Sequence, residues 1–97
     1  MSEVISEKRQ LRELRRKIAK KCKDMDYLAE TIEDGFFSIH ATRGLEARYI
    51  KIMLEKPSDE QLKEIRNFEV PPNVKKEIWV KHKGVSGRIN FKKIFIQ

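Results

Sequence analysis

FSIHATRGLEARYIKIML, residues 37–54, changes character with nearly every residue. Phe37, Ile39 and Ala41 alternate with Ser38, His40 and Thr42. After Arg43-Gly44, Ile50, Ile52 and Leu54 alternate with Tyr49, Lys51 and Met53. A period of two is that of a strand with one face buried, and a glycine between two such runs is a turn signal. The stretch therefore reads as two strands joined at Arg43-Gly44. A strand pair cannot bury its apolar face alone, so the flanking segments must supply the covering layer.

On the N-terminal side the period lengthens. Val4, Leu11, Ile18, Met25 and Ile32 recur every seven residues, with Leu14, Cys22, Leu28 and Ala29 in the intervening turns, which is the apolar stripe of a helix. Neither Gly nor Pro interrupts residues 4–34, and Gly35 stands where a C-terminal cap would sit. One long helix over 1–34 is expected, with a break near 23 as the alternative because Asp24 or Asp26 could cap a second helix. On the C-terminal side Pro57 stops the second strand. Ser58-Asp59-Glu60-Gln61 has the spacing of a capping box, and a short helix with Leu62, Ile65 and Phe68 on its buried face runs to Pro71-Pro72. A final hairpin follows. Ile78, Val80 and His82 alternate with Trp79, Lys81 and Lys83, the turn is Gly84-Val85-Ser86-Gly87, and residues 88–96 return. Ile89 and Phe91 are out of phase with Ile94 and Ile96, so a bulge or bend near Lys92-Lys93 is expected.

The expected fold is a single α+β (α/β) domain over 1–97, in the order α-β-β-α-β-β. A mixed four-stranded sheet over 36–97 would carry a long N-terminal helix and a short second one. Ninety-seven residues suffice for one modest core. No apolar run approaches the ~20 residues of a membrane span, and the first residues lack a signal-peptide core. The one cysteine, Cys22, cannot form an internal disulfide, so an intracellular protein is expected. Abundant Lys, Glu and Ile with few Asn and Gln is a heat-adapted composition.

Charge is segregated. Residues 1–23 hold nine Lys/Arg against three acids and residues 75–97 seven against one, so each end is net +6, whereas 24–34 is net −5. Arg9, Arg12, Arg16, Lys20 and Lys23 are spaced by three or four and form a basic stripe on the helix, whose bland alternative is a solvated face. In the hairpin, Lys75, Lys76, Lys81, Lys83, Arg88, Lys92 and Lys93 surround Trp79 and Phe91, combining phosphate-neutralising charge with rings on which a base could stack. Trp79 shares a face with Lys81 and Lys83, and is either that stacking surface or core. One Cys and two His 42 residues apart make no zinc-ligand cluster, and no phosphate loop or nucleophile motif is present, so no cofactor or metal is expected.

Residues 36–68 resemble archaeal Holliday-junction resolvases of the PD-(D/E)xK nuclease superfamily. Ser38-Ile39-His40-Ala41-Thr42-Arg43-Gly44 is similar to their D-I-x-A-T-K/R-G strand, residues 46–54 to the next strand, which carries E-x-K, and Ser58-Asp59-Glu60-Gln61-Leu62 to the S-x-x-Q start of the following helix. Those nucleases hold a divalent metal with the strand carboxylates and set a lysine near the attacking water. Here Ser38 stands in the Asp position, and either Lys51 and Met53 or Tyr49 and Lys51 stand in the Glu and Lys positions. The resemblance thus implies a nuclease-like domain that binds without cutting.

Three functions are expected in descending order. The first is a DNA or RNA binder without catalysis, contacting phosphates through Arg9, Arg12, Arg16, Lys20, Lys81, Lys83, Arg88 and Lys92, with Trp79 stacking on a base. The second is a protein-interaction module pairing its long helix with a second copy (a homodimer) or another partner, since a helix of ~30 residues would overhang so small a domain. The third is a divergent nuclease using Glu46, Glu55 or Asp59 as replacement ligands.

Overall fold

The structure, a computed structural model, describes residues 7–33, 35–83 and 89–96, the side chains of Lys83 and Ile89 excepted. Its elements are α1 (Glu7–Asp24), β1 (Leu28–Thr31), β2 (Ile39–Arg43), β3 (Glu46–Met53), α2 (Asp59–Asn67), β4 (Val74–Lys83) and β5 (Ile89–Ile96). The five strands form one mixed sheet in the order β1-β2-β3-β4-β5, parallel only between β3 and β4, where α2 makes the crossover. The strand pair and the helix after Pro57 stand where the alternation and the capping signals put them. The order is α-β-β-β-α-β-β rather than α-β-β-α-β-β, because the expected helix over 1–34 is really a helix followed by a strand.

Why α1 stops is visible in its last carbonyls. Tyr27 N–H donates to Cys22 O and Asp26 N–H to Lys23 O, each at 3.0 Å, and Asp26 has φ 69°. This is a Schellman ending with aspartate in the left-handed position that glycine usually takes. Asp26 caps the C-terminal end of α1 and does not start a second helix. The chain reverses, and Ala29 pairs with Ala41 as β1. Gly35 is no helix cap either; a Cβ there would lie 2.5 Å from Ile32 Cγ2, so the residue allows the close approach of the chain to Ile32. The β2–β3 turn does need its glycine's freedom, with Gly44 at φ 59°.

The two helices lie on opposite sides of the sheet. Leu14, Ile18, Ala19 and Cys22 of α1 pack with Tyr27, Ile39, Ala41, Ile50, Ile52 and Trp79. On the other side Ile65 packs with Phe37, Ile78 and Val80, with Leu62, Ile94 and Ile96 against them. This three-layer arrangement explains the phase conflict in β5. Its register against β4 runs without a slip from Lys83↔Ile89 to Lys76↔Ile96, so the expected bulge does not exist. Phe91 serves the α1 layer, and Ile94 and Ile96 serve the α2 layer.

α2 is tied down at both ends. The Ser58 hydroxyl accepts from Gln61 N–H at 3.2 Å and Gln61 Oε1 accepts from Ser58 N–H at 2.9 Å, a reciprocal capping box. At its C-terminus the nearly buried Lys76 ammonium donates to the carbonyls of Ile65, Arg66 and Phe68 at 2.8, 2.6 and 3.1 Å. A cation there also meets the negative end of the helix dipole.

Over the described residues α1 is shorter than the helix of ~30 residues that the stripe suggests. Eighteen residues span about 27 Å, well inside a molecule 48 Å in its longest dimension, and Leu11, Leu14, Ile18 and Cys22 all pack on the protein's own sheet. Among the described residues no helix is long and apolar enough to cross a membrane.

Candidate nucleic-acid interface

Because the apolar stripe of α1 faces the sheet, Arg9, Arg12, Arg16, Lys20 and Lys23 come out on its far side, and all five are exposed. The helix holds nine Lys/Arg against three acids, whereas α2 on the opposite side holds two against three. The sheet therefore separates a strongly cationic helix from a nearly neutral one. Arg9 meets Glu13 at 3.8 Å, with both side chains mostly exposed, an ion pair of little energetic weight.

The second basic block meets the first where β4 passes α1. Lys81 Nζ donates to Gln10 Oε1 at 3.4 Å, which sets Lys81 of β4 beside the flank of α1. Lys17 and Lys21, seven and eleven residues beyond Gln10, lie along that same flank. α1 packs chiefly on β1, β2 and β3, with buried Trp79 of β4 in the same core, so on this side it is β5 that the described residues leave largely uncovered. Cross-strand pairing of Trp79 with Lys93 and of Lys81 with Phe91 puts Phe91, Lys93 and Phe95 on this side of β5. Lys93 Nζ sits 4.4 Å above the centre of the Trp79 ring, and Phe91 is 5.8 Å from it.

The expected contact residues divide accordingly. Arg9, Arg12, Arg16, Lys20 and Lys81 share the α1 side. Lys92 does not, because it pairs with Val80 and faces the α2 side. Trp79 is 3% exposed under Lys93 and Phe91, with its Nε1–H donating to Glu77 Oε1 at 3.1 Å, so it is core and offers no stacking face. Lys83 closes β4, with its side chain outside the described residues, and Arg88 lies outside them altogether, as do Val4 and the Gly84–Gly87 turn. Sequence reasoning passed over Lys17, Lys21 and Phe95, and counted Lys93 in the hairpin's basic block but not among the contacts. Alternation from Trp79 through the hairpin would have found Lys93 and Phe95, had no bulge been assumed.

Beneath this side of the sheet runs a charged network that consumes its acids. Glu77, 1% exposed, accepts from Arg48 Nη1 at 2.8 Å as well as from Trp79. Arg48 also holds Glu46 at 2.6 and 2.9 Å, and these hydrogen bonds keep the Glu46 carboxyl below the ordinary carboxylate range. Arg43 and Arg48 both lie over the Tyr27 ring, at 4.5 and 5.3 Å. Burial, and secondarily the Glu77 charge, push the Cys22 thiol up, which disfavours the reactive thiolate.

The positions compared with nuclease carboxylates are otherwise engaged. Ser38 Oγ accepts the Ile52 N–H at 3.2 Å. Lys51 Nζ donates to Phe36 O at 2.7 Å and lies 4.2 Å over the Phe36 ring, and burial pushes its pKa down. Tyr49 packs on His40 and Phe37, and Met53 on the α2 core. A cleft of about 440 Å³ at this end is lined by Lys8, Arg12, Arg15 and Lys51 together with Glu7 and Glu33. Glu46 opens β3 while Glu55 lies beyond its end, roughly 30 Å away along an extended chain, so these two do not converge. Among the described residues no three His, Cys, Asp or Glu side chains come together as a metal-holding group. Compared with protein families, curated proteins and solved structures, the chain matches none.

Proposed function

We propose that this protein binds nucleic acid through the α1 side of its sheet, without sequence preference and without cutting it. The observation that carries the reading is the one-sided charge. Two basic segments that are far apart in the sequence meet at Gln10 and Lys81, while the opposite helix is nearly neutral. Phosphates bound along such a surface release condensed counterions, which favours any nucleic acid and distinguishes none by sequence. The similarity of residues 36–68 to resolvase strands supports a nucleic-acid partner. Serine, lysine, tyrosine and methionine at the compared positions support binding without hydrolysis, since metal-assisted cleavage needs converging carboxylates.

Fluorescence anisotropy of a labelled duplex, titrated at several salt concentrations, tests this. Binding at low salt that weakens as a power of salt concentration is the expected result, and Arg12→Glu with Arg16→Glu should lower both the affinity and the slope. No binding at micromolar protein would refute the proposal. Plasmid incubated with magnesium or manganese should stay intact, whereas nicking that Glu55→Ala abolishes would refute the non-cleaving part.

A further inference from the structure

The strip of β5 that α1 leaves largely uncovered is built differently from the helix ridge. The residues along it are Phe91, Lys93 and Phe95, an aromatic, cation, aromatic series with steps of about 6.7 Å. Phe91 and Lys93 are occupied with Trp79. Phe95 is not; its side chain is 64% exposed beside the outer edge of the sheet. Its cross-strand neighbour is Glu77, whose carboxylate is buried and shared between Arg48 and Trp79 rather than projecting beside the ring. On the α1 side this strip is bordered by Lys81, which meets Gln10 of the helix, and by the helix flank that carries Lys17 and Lys21.

A duplex offers such a strip little. Its bases are stacked on one another, and its accessible surface is phosphate and base edge, which the convex ridge of α1 serves as well. An unpaired strand has free base faces, and an exposed ring set among lysines is the feature that binds them.

We propose that the exposed strip of β5 beside α1 takes single-stranded nucleic acid, phosphates toward Lys17, Lys21 and Lys81 and a base stacked on Phe95. This rests on the nucleic-acid reading of the basic side and adds to it a preference for unpaired strands.

The test compares a labelled deoxythymidine oligomer of about 15 nucleotides with a duplex of equal length, using native protein, Phe95→Ala and Phe95→Trp. The expected result is tighter binding of the single strand. Phe95→Ala should weaken it about tenfold, in the range of one lost stacking contact, while duplex affinity and the salt slope stay unchanged. In Phe95→Trp the affinity should be kept, and the new indole, unlike buried Trp79, should be quenched by the oligomer. Equal weakening of both ligands by Phe95→Ala, or single-strand binding that ignores it, overturns the stacking inference while leaving the broader function standing. Absence of binding to either ligand overturns the broader function itself.

Discussion

Glu77 and Arg48 show how a single pair governs this core. A carboxylate that is 1% exposed at the centre of a sheet is tolerated only because Arg48 and the Trp79 indole satisfy it. Arg48→Ala would leave that charge unpaired and should cost about 3 kcal/mol or more by urea unfolding. Glu77→Gln should cost less, since Arg48 keeps Glu46 and the amide oxygen still accepts from Trp79; the reverse order would contradict this account. Glu46 adds a pH dependence. Its folded pKa is depressed by Arg48, so its contribution is present above the ordinary carboxylate pKa of about 4.3 and is lost as pH falls through the lowered value. Stability measured from pH 5 down to pH 2 should therefore fall less steeply in Glu46→Gln than in the native protein. None of this network was legible in advance. Arg48, Glu46 and Glu77 are ordinary charges in a chain full of them, and only the β3–β4 register brings Arg48 and Glu77 side by side.

Among the elements, those with explicit punctuation were readable and those without were not. Pro57, the Ser58-to-Gln61 spacing and Pro71-Pro72 bracket α2, and Arg43-Gly44 marks the β2–β3 turn. β1 was lost because its residues kept the helical spacing of the stripe, while the signal that ends α1 is an aspartate at positive φ where glycine is the usual marker. The open basic side was half legible. The stripe on α1 follows from spacing alone, but which hairpin residues join it depends on an unbroken β4–β5 register that the mixed phases of β5 concealed. Lys76 belongs to this scale too, since a residue counted with the basic block turns out to close α2. Lys76→Met should keep the stem's packing but take the ammonium from three helix-end carbonyls, of which Ile65 O retains the Phe68 N–H, lowering stability by about 1.5–3 kcal/mol in thermal or urea unfolding. An unchanged midpoint would show that water satisfies those carbonyls equally well.

At the scale of the whole molecule, the outer strands β1 and β5 each have one edge with no strand paired to it among the described residues. An unpaired strand is a template on which another chain can add itself, and repeated addition leads to fibres and precipitate. β1 limits that hazard by being only four residues long. β5 has eight residues and cannot rely on brevity, but Lys92 and Lys93 sit at its middle, one on each side of the sheet. A second molecule joining there would have to bring like charges together on both sides at once. Replacing both lysines with valine should leave the monomer folded by circular dichroism, yet turn a clear concentrated solution into one that scatters light and binds thioflavin T. Lys93, on the side proposed to meet phosphates, and Lys92, on the α2 side, thus together keep neighbouring copies of the protein apart.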